Sequence, residues 1–288
     1  MEQAPNTSKT IGIVGLGLIG GSLGLELQNL GYQVHGLAHR MKTAKRAQER
    51  GLAQNISTDP KILKDCSIVI LALPLTQLLQ PDPKLINELP INAVITDVGS
   101  VKEPIIKVWQ KLHPRFVGSH PMAGTNQEGV EAGIENLFKG KAWISTPEPT
   151  TNPEALETVK QLAISLGCKW LTAESTIHDK AVALISHLPV LISAALLKTT
   201  NFEEDESITE LAKILASTGF ADTTRIGAGN PQLGSSMMEN NSSAILDWLQ
   251  SYKASLRELE NIIASQEWIL LQKELEQTKI IRPEFLNE

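Results

Sequence analysis

Two parts of the sequence carry residue types in an order that suits chemistry on a small molecule. The first is Ile11-Gly-Ile-Val-Gly15-Leu-Gly17-Leu-Ile-Gly20-Gly21-Ser22, a G-x-G-x-x-G spacing between an apolar run and an amphipathic stretch. There Gly15 permits a tight turn, Gly17 lets backbone approach a pyrophosphate, and Gly20 lets helix and strand pack closely. Leu18 and Ile19 open the helix, where free N–H groups and the positive dipole end favour an anion. The spacing alone is weak, but at a strand–turn–helix junction it points to a bound dinucleotide. The second part is a pair of segments, Thr96-Asp-Val-Gly-Ser100-Val-Lys102 and Gly118-Ser-His120-Pro-Met-Ala-Gly-Thr125. A histidine beside a hydroxyl suits a general base, because an unperturbed imidazole titrates near ~6.5. Taking a proton from a substrate hydroxyl while hydride leaves the same carbon is what a nicotinamide site needs. Position alone leaves His120 two readings, that base or a loop histidine closing the turn before Pro121.

The type of dinucleotide is decided past the second strand, where an NAD site usually places a carboxylate on the ribose hydroxyls. The segment Gly36-Leu-Ala-His39-Arg40-Met-Lys42 has none. The Arg40 guanidinium can pair a 2′-phosphate bidentately, so NADP is favoured, with NAD the other nicotinamide admitted; a solvated helix start explains Arg40 and Lys42 equally simply. His187 lies in the apolar stretch Ala181–Leu197 just ahead of Pro189, which deletes a helical hydrogen bond and should bend the helix there. A polar residue at a bend can line a cleft, and a satisfied core histidine is the plainer alternative. Arg225 suits a carboxylate or a solvated surface. His35, His113 and His178 show no supporting context, and no metal-ligand spacing or nucleophile elbow occurs.

The elements that must position these residues follow from the apolar pattern. From Thr10 to about Thr172, short β-branched runs (Ile11–Val14, Tyr32–Leu37, Ile68–Leu73, Ala93–Thr96, Arg115–Val117, Ala142–Ser145, Cys168–Leu171) alternate with helical stretches. That alternation predicts an α/β, Rossmann-type doubly wound N-terminal domain with helices on both faces of a parallel sheet. Ligands gather at the carboxyl ends of such strands, which puts His39, Arg40, Pro74, Ser100 and His120 along one edge. After Thr172 only helical patterns occur, over 178–200, 204–217 and 242–277, with Gly219–Gly234 expected as loop. The domains are therefore 9–175, dinucleotide-binding, and 176–288, an all-α C-terminal domain. The stripe Ile245, Leu249, Tyr252, Leu256, Leu259, Ile263 suggests a core or dimer seam.

Composition narrows the function classes. The 288 residues are 42% hydrophobic and 20% charged, with 26 basic against 32 acidic side chains and no basic block, which argues against nucleic acid as a partner. Cys66 and Cys168 lie in apolar stretches and read as small buried hydrophobes. Met1–Thr10 has no apolar signal core, and Ala181–Leu197 falls short of a membrane span, so a cytoplasmic protein without a membrane partner is expected.

These segments together resemble the prephenate/arogenate dehydrogenase family of tyrosine biosynthesis, over Thr10 to about Gln277. The resemblance rests on Gly15–Ser22, Thr96–Lys102, Gly118–Thr125, Ile185-Ser-His-Leu-Pro189 and Ser217-Thr-Gly-Phe-Ala-Asp-Thr-Thr-Arg225, in family order. It looks nearest to the cyanobacterial-type, NADP-dependent arogenate dehydrogenases. It implies an intertwined homodimer through the helical domain and an oxidative decarboxylation in which the ring becomes aromatic. It also implies roles: His120 takes the ring hydroxyl's proton, Ser100 orients that histidine and contacts substrate, and His187, Arg225 and Thr125 lie at the substrate. Gly15, Gly17, Leu18, Ile19, Gly20, His39, Arg40, Pro74 and Ser100 would line the cofactor. Relatives often have a basic residue at Ala221, so one cationic substrate contact is expected to be missing or supplied elsewhere. Prephenate-using members often have Glu where this chain has Asn126 and an Asp-Pro…Trp pattern where it has Gly229–Gly234. Those departures favour arogenate over prephenate. A prephenate dehydrogenase yielding 4-hydroxyphenylpyruvate, another β-hydroxyacid or imine oxidoreductase, and a non-catalytic dinucleotide sensor are the alternatives.

Overall fold

The structure, a computed structural model, describes residues 9–125, 127–203 and 205–286. Six parallel strands, β1 (Thr10–Val14), β2 (Gln33–Leu37), β3 (Asn55–Ser57), β4 (Ile68–Leu71), β5 (Val94–Asp97) and β6 (Phe116–Val117), form one sheet in the order β3-β2-β1-β4-β5-β6. Every residue of β4 is buried, as its unbroken apolar sequence requires of a strand covered on both faces. One face packs α1 (Leu18–Asn29) through Leu23 and Leu27, with Phe138 and Trp143 beside them. The other face is covered through Leu75, Leu78, Leu85 and Trp109. The first two of these belong to α3 (Leu75–Leu79), and Leu85 and Trp109 to α4 (Pro83–Glu88) and α5 (Glu103–Leu112). α2 (Met41–Glu49) follows β2. The strand order reverses between β1 and β4, and there a doubly wound sheet opens its ligand crevice.

Two runs expected in this sheet lie elsewhere. β7 (Ser119–Pro121), β8 (Ala142–Ser145) and β9 (Lys169–Thr172) make a separate sheet, antiparallel between β7 and β8 and parallel between β8 and β9. The chain leaves the main sheet at Gly118, where a Cβ would press on Ile106 and on the Thr146 hydroxyl at 3.0 and 3.1 Å. His120 thus sits on a strand of its own, opposite Ile144. β3 escaped the sequence pattern because it is a three-residue edge strand with no fully buried side chain. α6 (Pro153–Ser165) links β8 to β9, its Asn152 cap accepting from the Ala155 N–H at 2.9 Å.

The chain divides into two compact units, Met1–Asn241 and Ser242–Glu288. In the first, α7 (Ser175–Val182) runs into a π-turn, Ala183–His187, and then α8 (Leu188–Thr199). The irregularity expected from Pro189 is met by widening the turn before it, so His187 closes the π-turn. By length and composition the helical run Ser175–Phe202 is apolar enough to cross a membrane, which is more than the sequence pattern indicated. Its buried His178 and Asp179 are nevertheless hydrogen-bonded to β7 and to the start of α5, so the run is built into this unit.

After α9 (Glu206–Leu215), the segment expected as loop forms α10 (Thr218–Thr224), a 3₁₀ turn over Arg225–Ala228, and α11 (Pro231–Asn240). Its breakers stand at helix boundaries: Pro231 opens α11, and the Asn230 side chain caps it by accepting from the Gln232 and Leu233 N–H groups. At Gly227 the 3₁₀ turn lies so close to α8 that a Cβ would meet the Ala194 nitrogen at 2.5 Å. In the second unit, the single helix expected over 242–277 is broken at Gln266 (φ 56°) into α12 (Ser242–Ala264) and α13 (Trp268–Leu286).

Candidate active site

The glycine turn is built for close approach. Gly15 has φ 92°, and a Cβ there would strike the Ala72 carbonyl at 2.3 Å; a Cβ on Gly20 would strike the Gly15 carbonyl at 1.9 Å. At Gly17, the residue preceding α1, nothing lies within 4 Å of the missing Cβ. That open side, next to the unpaired first-turn N–H groups of Leu18 and Ile19, is the space a pyrophosphate requires. The residues therefore fit a dinucleotide. The Gly15 N–H donates to the Leu37 carbonyl at 2.9 Å, which joins the glycine turn to the end of β2. His39 and Arg40 leave that end exposed, Arg40 preceding α2, while Pro74 is exposed at the end of β4 and precedes α3.

A second cluster is organised by Asp97, the wholly buried last residue of β5. Its carboxylate accepts the Gly99 N–H at 2.8 Å and the Ser119 N–H at 3.1 Å, and takes a hydrogen bond from the wholly buried Lys102 ammonium. Lys102 Nζ also donates to the Ser119 carbonyl at 2.7 Å. Burial lowers the pKa of this ammonium against the pull of Asp97. The same carboxylate thus fixes the residue before Ser100 and the residue before His120.

A third cluster is organised by Asp179 of α7. Oδ1 accepts the Lys102 N–H at 2.7 Å and Oδ2 the Glu103 N–H at 2.9 Å, so Asp179 caps α5 from a distant helix. Oδ1 also meets His178 Nδ1 at 2.7 Å, and His178 Nε2 meets His120 Nδ1 at 3.0 Å. The Asp179 backbone carbonyl accepts from Asn241 Nδ2 at 2.8 Å, and the same NH₂ faces His187 Nδ1 at 3.2 Å. Since a carbonyl only accepts, the group facing it is the amide nitrogen, and His187 Nδ1 must be the acceptor. His187 then carries its proton on Nε2, which is buried and without a protein partner. Burial pushes the His187 pKa down to about 4, with Asp179 pulling the other way. Burial first, then the neighbouring His178, Lys102 and His187, hold the His120 imidazole well below its usual range. Both rings are neutral at pH 7: His120 is able to accept a proton and His187 to donate a hydrogen bond. Among the described residues no group of three or more His, Cys, Asp or Glu side chains is placed to hold a metal.

Comparison with known proteins decides the family. Residues 23–172 match the prephenate dehydrogenase nucleotide-binding domain, and residues 174–277 match the prephenate dehydrogenase dimerization domain. The chain is 32% identical over 261 residues to prephenate dehydrogenase of Bacillus subtilis, covering 88% of this chain and 69% of that one. It is 31% identical to cyclohexadienyl dehydrogenase of Zymomonas mobilis, with 90% of each chain covered. The chain belongs to the prephenate dehydrogenase family. Among solved structures, Synechocystis arogenate dehydrogenase is similar at TM-score 0.81 and 40% identity, over 96% of this chain and 99% of that one. A. aeolicus prephenate dehydrogenase in complex with hydroxyphenyl propionate and NAD+ is similar at TM-score 0.89 and 28% identity, over 96% and 98%.

Within this prephenate dehydrogenase fold, the sequence-expected residues fall into groups. The glycine turn, His39, Arg40 and Pro74 share the carboxyl edge of the sheet. Ser100 and His120, both partly buried, extend from segments tied to Asp97. His187 joins them through Asn241 and Asp179. Arg225 is exposed at the end of α10, and Thr125 is exposed with its hydroxyl accepting the Gln127 N–H at 3.1 Å. Neither enters the Asp179 network among the described hydrogen bonds, and Asn126 lies outside the described residues. His178, Asp179 and Asn241 were missed. One signal existed in the sequence, the polar pair His178-Asp179 entering an otherwise apolar helix, and it lacked a partner to give it meaning.

Proposed function

We propose that this member of the family is an NADP-dependent arogenate dehydrogenase, converting L-arogenate and NADP⁺ to L-tyrosine, CO₂ and NADPH. The observation that carries the substrate choice is the 40% identity to Synechocystis arogenate dehydrogenase, against 28% and 32% for the A. aeolicus and B. subtilis prephenate dehydrogenases. The NADP choice rests on Arg40, exposed past β2 on a segment that offers a 2′-phosphate a guanidinium and no carboxylate.

Bound across the glycine turn, the nicotinamide supplies the hydride acceptor. Gly15, Gly17, Leu18, Ile19 and Gly20 would hold its pyrophosphate, His39 and Arg40 its ribose phosphate, and Pro74 and Ser100 would line its path along the strand ends. His120 takes the proton of the ring hydroxyl as the C–H electron pair leaves that carbon. Ser100 orients that histidine and contacts the substrate. The ring carboxylate departs as CO₂, its bond electrons completing the aromatic ring, and the resulting phenolate oxygen takes its proton back from His120. His187 Nε2–H, a buried donor with no protein partner, is suited to a substrate oxygen, and Arg225 and Thr125 would serve substrate carboxylate and side chain. Aromatisation drives the reaction, so the protein chiefly positions and deprotonates.

The enzyme would act as a cytoplasmic homodimer, with the dinucleotide-binding domain ending near residue 175. Support for dimerization comes from the matched dimerization domain and from Leu256 and Ile263, both about half exposed on α12. Following absorbance at 340 nm with arogenate and prephenate, each with NAD⁺ and NADP⁺, tests the reading. Turnover of prephenate alone, or equal use of both cofactors, would remove the corresponding half.

A further inference from the structure

With both rings neutral, the chain of contacts from Asp179 to His120 has a direction that hydrogen-bond chemistry fixes. The Asp179 carboxylate only accepts, so His178 Nδ1, 2.7 Å away, carries a proton. A neutral His178 then has an unprotonated Nε2. That nitrogen faces His120 Nδ1 at 3.0 Å and can only accept from it. His120 therefore carries its proton on Nδ1 and presents a bare Nε2. The two rings meet edge to face, with centroids 5.2 Å apart and planes inclined by 72°, which suits an in-plane N–H pointing at an in-plane lone pair. Both His178 and Asp179 are buried, and Asp179 is itself immobilised by the two N–H groups that open α5.

From this geometry we infer that His178 and Asp179 are positioning residues that select the Nδ1–H tautomer of His120 and leave Nε2 as the nitrogen that receives the substrate proton. The inference deepens the proposed function and rests on His120 being the base. When Nε2 gains its proton, the imidazolium keeps its Nδ1–H on His178, whose own N–H rests on the carboxylate. The positive charge thus forms on a chain that ends in an anion. The charged and titratable groups facing this pair are Lys102 from the β5–α5 turn, with Asp97 of β5 bonded behind it, His187 from the π-turn, and Asp179 itself.

The test has two arms. ¹⁵N-histidine NMR of the enzyme without substrate reads the tautomers directly. Wild type should show His120 and His178 protonated on Nδ1, each peak assigned by the variant that deletes it. In steady-state kinetics, His178→Leu should lower kcat by at least ~10²-fold with a small change in KM, since orientation of a base acts in the transition state. His178→Gln, whose amide oxygen can accept the His120 Nδ1–H, should recover most of that loss. A packing role would instead leave Leu, the better apolar filler, no worse than Gln. An Nε2–H tautomer for His120 in wild type, or Leu and Gln variants of equal kcat, would overturn the inference. Normal kcat in His120→Asn would remove the base itself while leaving the tautomer result standing, which separates the two failures. Should His178→Leu fail to fold, the wild-type tautomers still decide.

Discussion

Replacing Asp97 with Asn, Lys102 with Met, and both together probes the junction that carries Ser100 and His120. Both side chains are fully buried, and removing one partner of such a pair typically costs ~3–5 kcal/mol because the survivor is left charged in a low-dielectric site. The two single variants are not equivalent. Asp97→Asn deprives the ammonium of its counter-charge and aims an amide NH₂ at a backbone N–H, since Gly99 and Ser119 both donate to this side chain. It should reach that full range. Lys102→Met removes the charge that needed a partner, leaves the carboxylate its two backbone donors, and keeps the Lys102 N–H on Asp179; a loss of about 1–3 kcal/mol is expected. The double variant buries no charge, so it should be more stable than Asp97→Asn, with a coupling energy of at least about 1 kcal/mol. Urea unfolding with comparison of midpoints at constant m measures all three. A loss below about 1 kcal/mol for Asp97→Asn, or strict additivity in the double variant, would refute the reasoning.

Arg40→Asp should weaken NADP binding far more than NAD binding through like-charge repulsion, read as separate KM values; equal losses would make Arg40 structural. His120→Asn should lower kcat by ~10²–10⁴ with little change in KM. Because burial holds this imidazole well below 6.5, the acid limb of wild-type kcat should rise below pH 6.5 and be flat at neutrality, and the Asn variant should lack it. A limb centred at neutrality would contradict the structure. For His187, a folded pKa of about 4 against an ordinary value of 6.5 means the unfolded chain binds the extra proton between those values. Stability should fall by roughly 3 kcal/mol as pH drops through that window, and His187→Gln should remove that part of the slope in urea titrations at stepped pH. Leu256→Glu, on a helix face that exposes about half of that side chain, should shift sedimentation from dimer to monomer if α12 lies in the dimer seam.

The parts of this site legible in the sequence were those whose chemistry is local. The glycine turn is a contiguous backbone requirement, and the Ser100 and His120 segments sit directly after strands that the apolar pattern marks. Long-range partners were not legible. His178 lies 58 residues from the ring it contacts, and nothing in its neighbours announces that contact. Residues nine apart on an unbroken α-helix are about half a turn out of phase, so His178 and His187 do not read as one cluster until the π-turn rewinds the helix between them. Glycine misled in the 219–234 segment: Gly219 lies in the first turn of α10, Gly227 is there for close packing on α8, and Gly229 falls between helices. The separate β7–β9 sheet was hidden for another reason. Strand runs reveal burial, but not which sheet does the burying.

The cap that Asp179 places on α5 has a mechanical consequence. By sequence, α7 opens the helical domain, and a connection such as Ala173–Glu174 is where a hinge would ordinarily be sought. With two backbone N–H groups of α5 held by one carboxylate beyond that connection, the joint is bridged, and bending there would uncap a helix and uncouple His178 from His120. The first compact unit accordingly runs on to Asn241, which takes hold of the Asp179 carbonyl. Any opening that admits substrate must therefore flex loops around the cluster, because His120 and the helix that orients it move as one body.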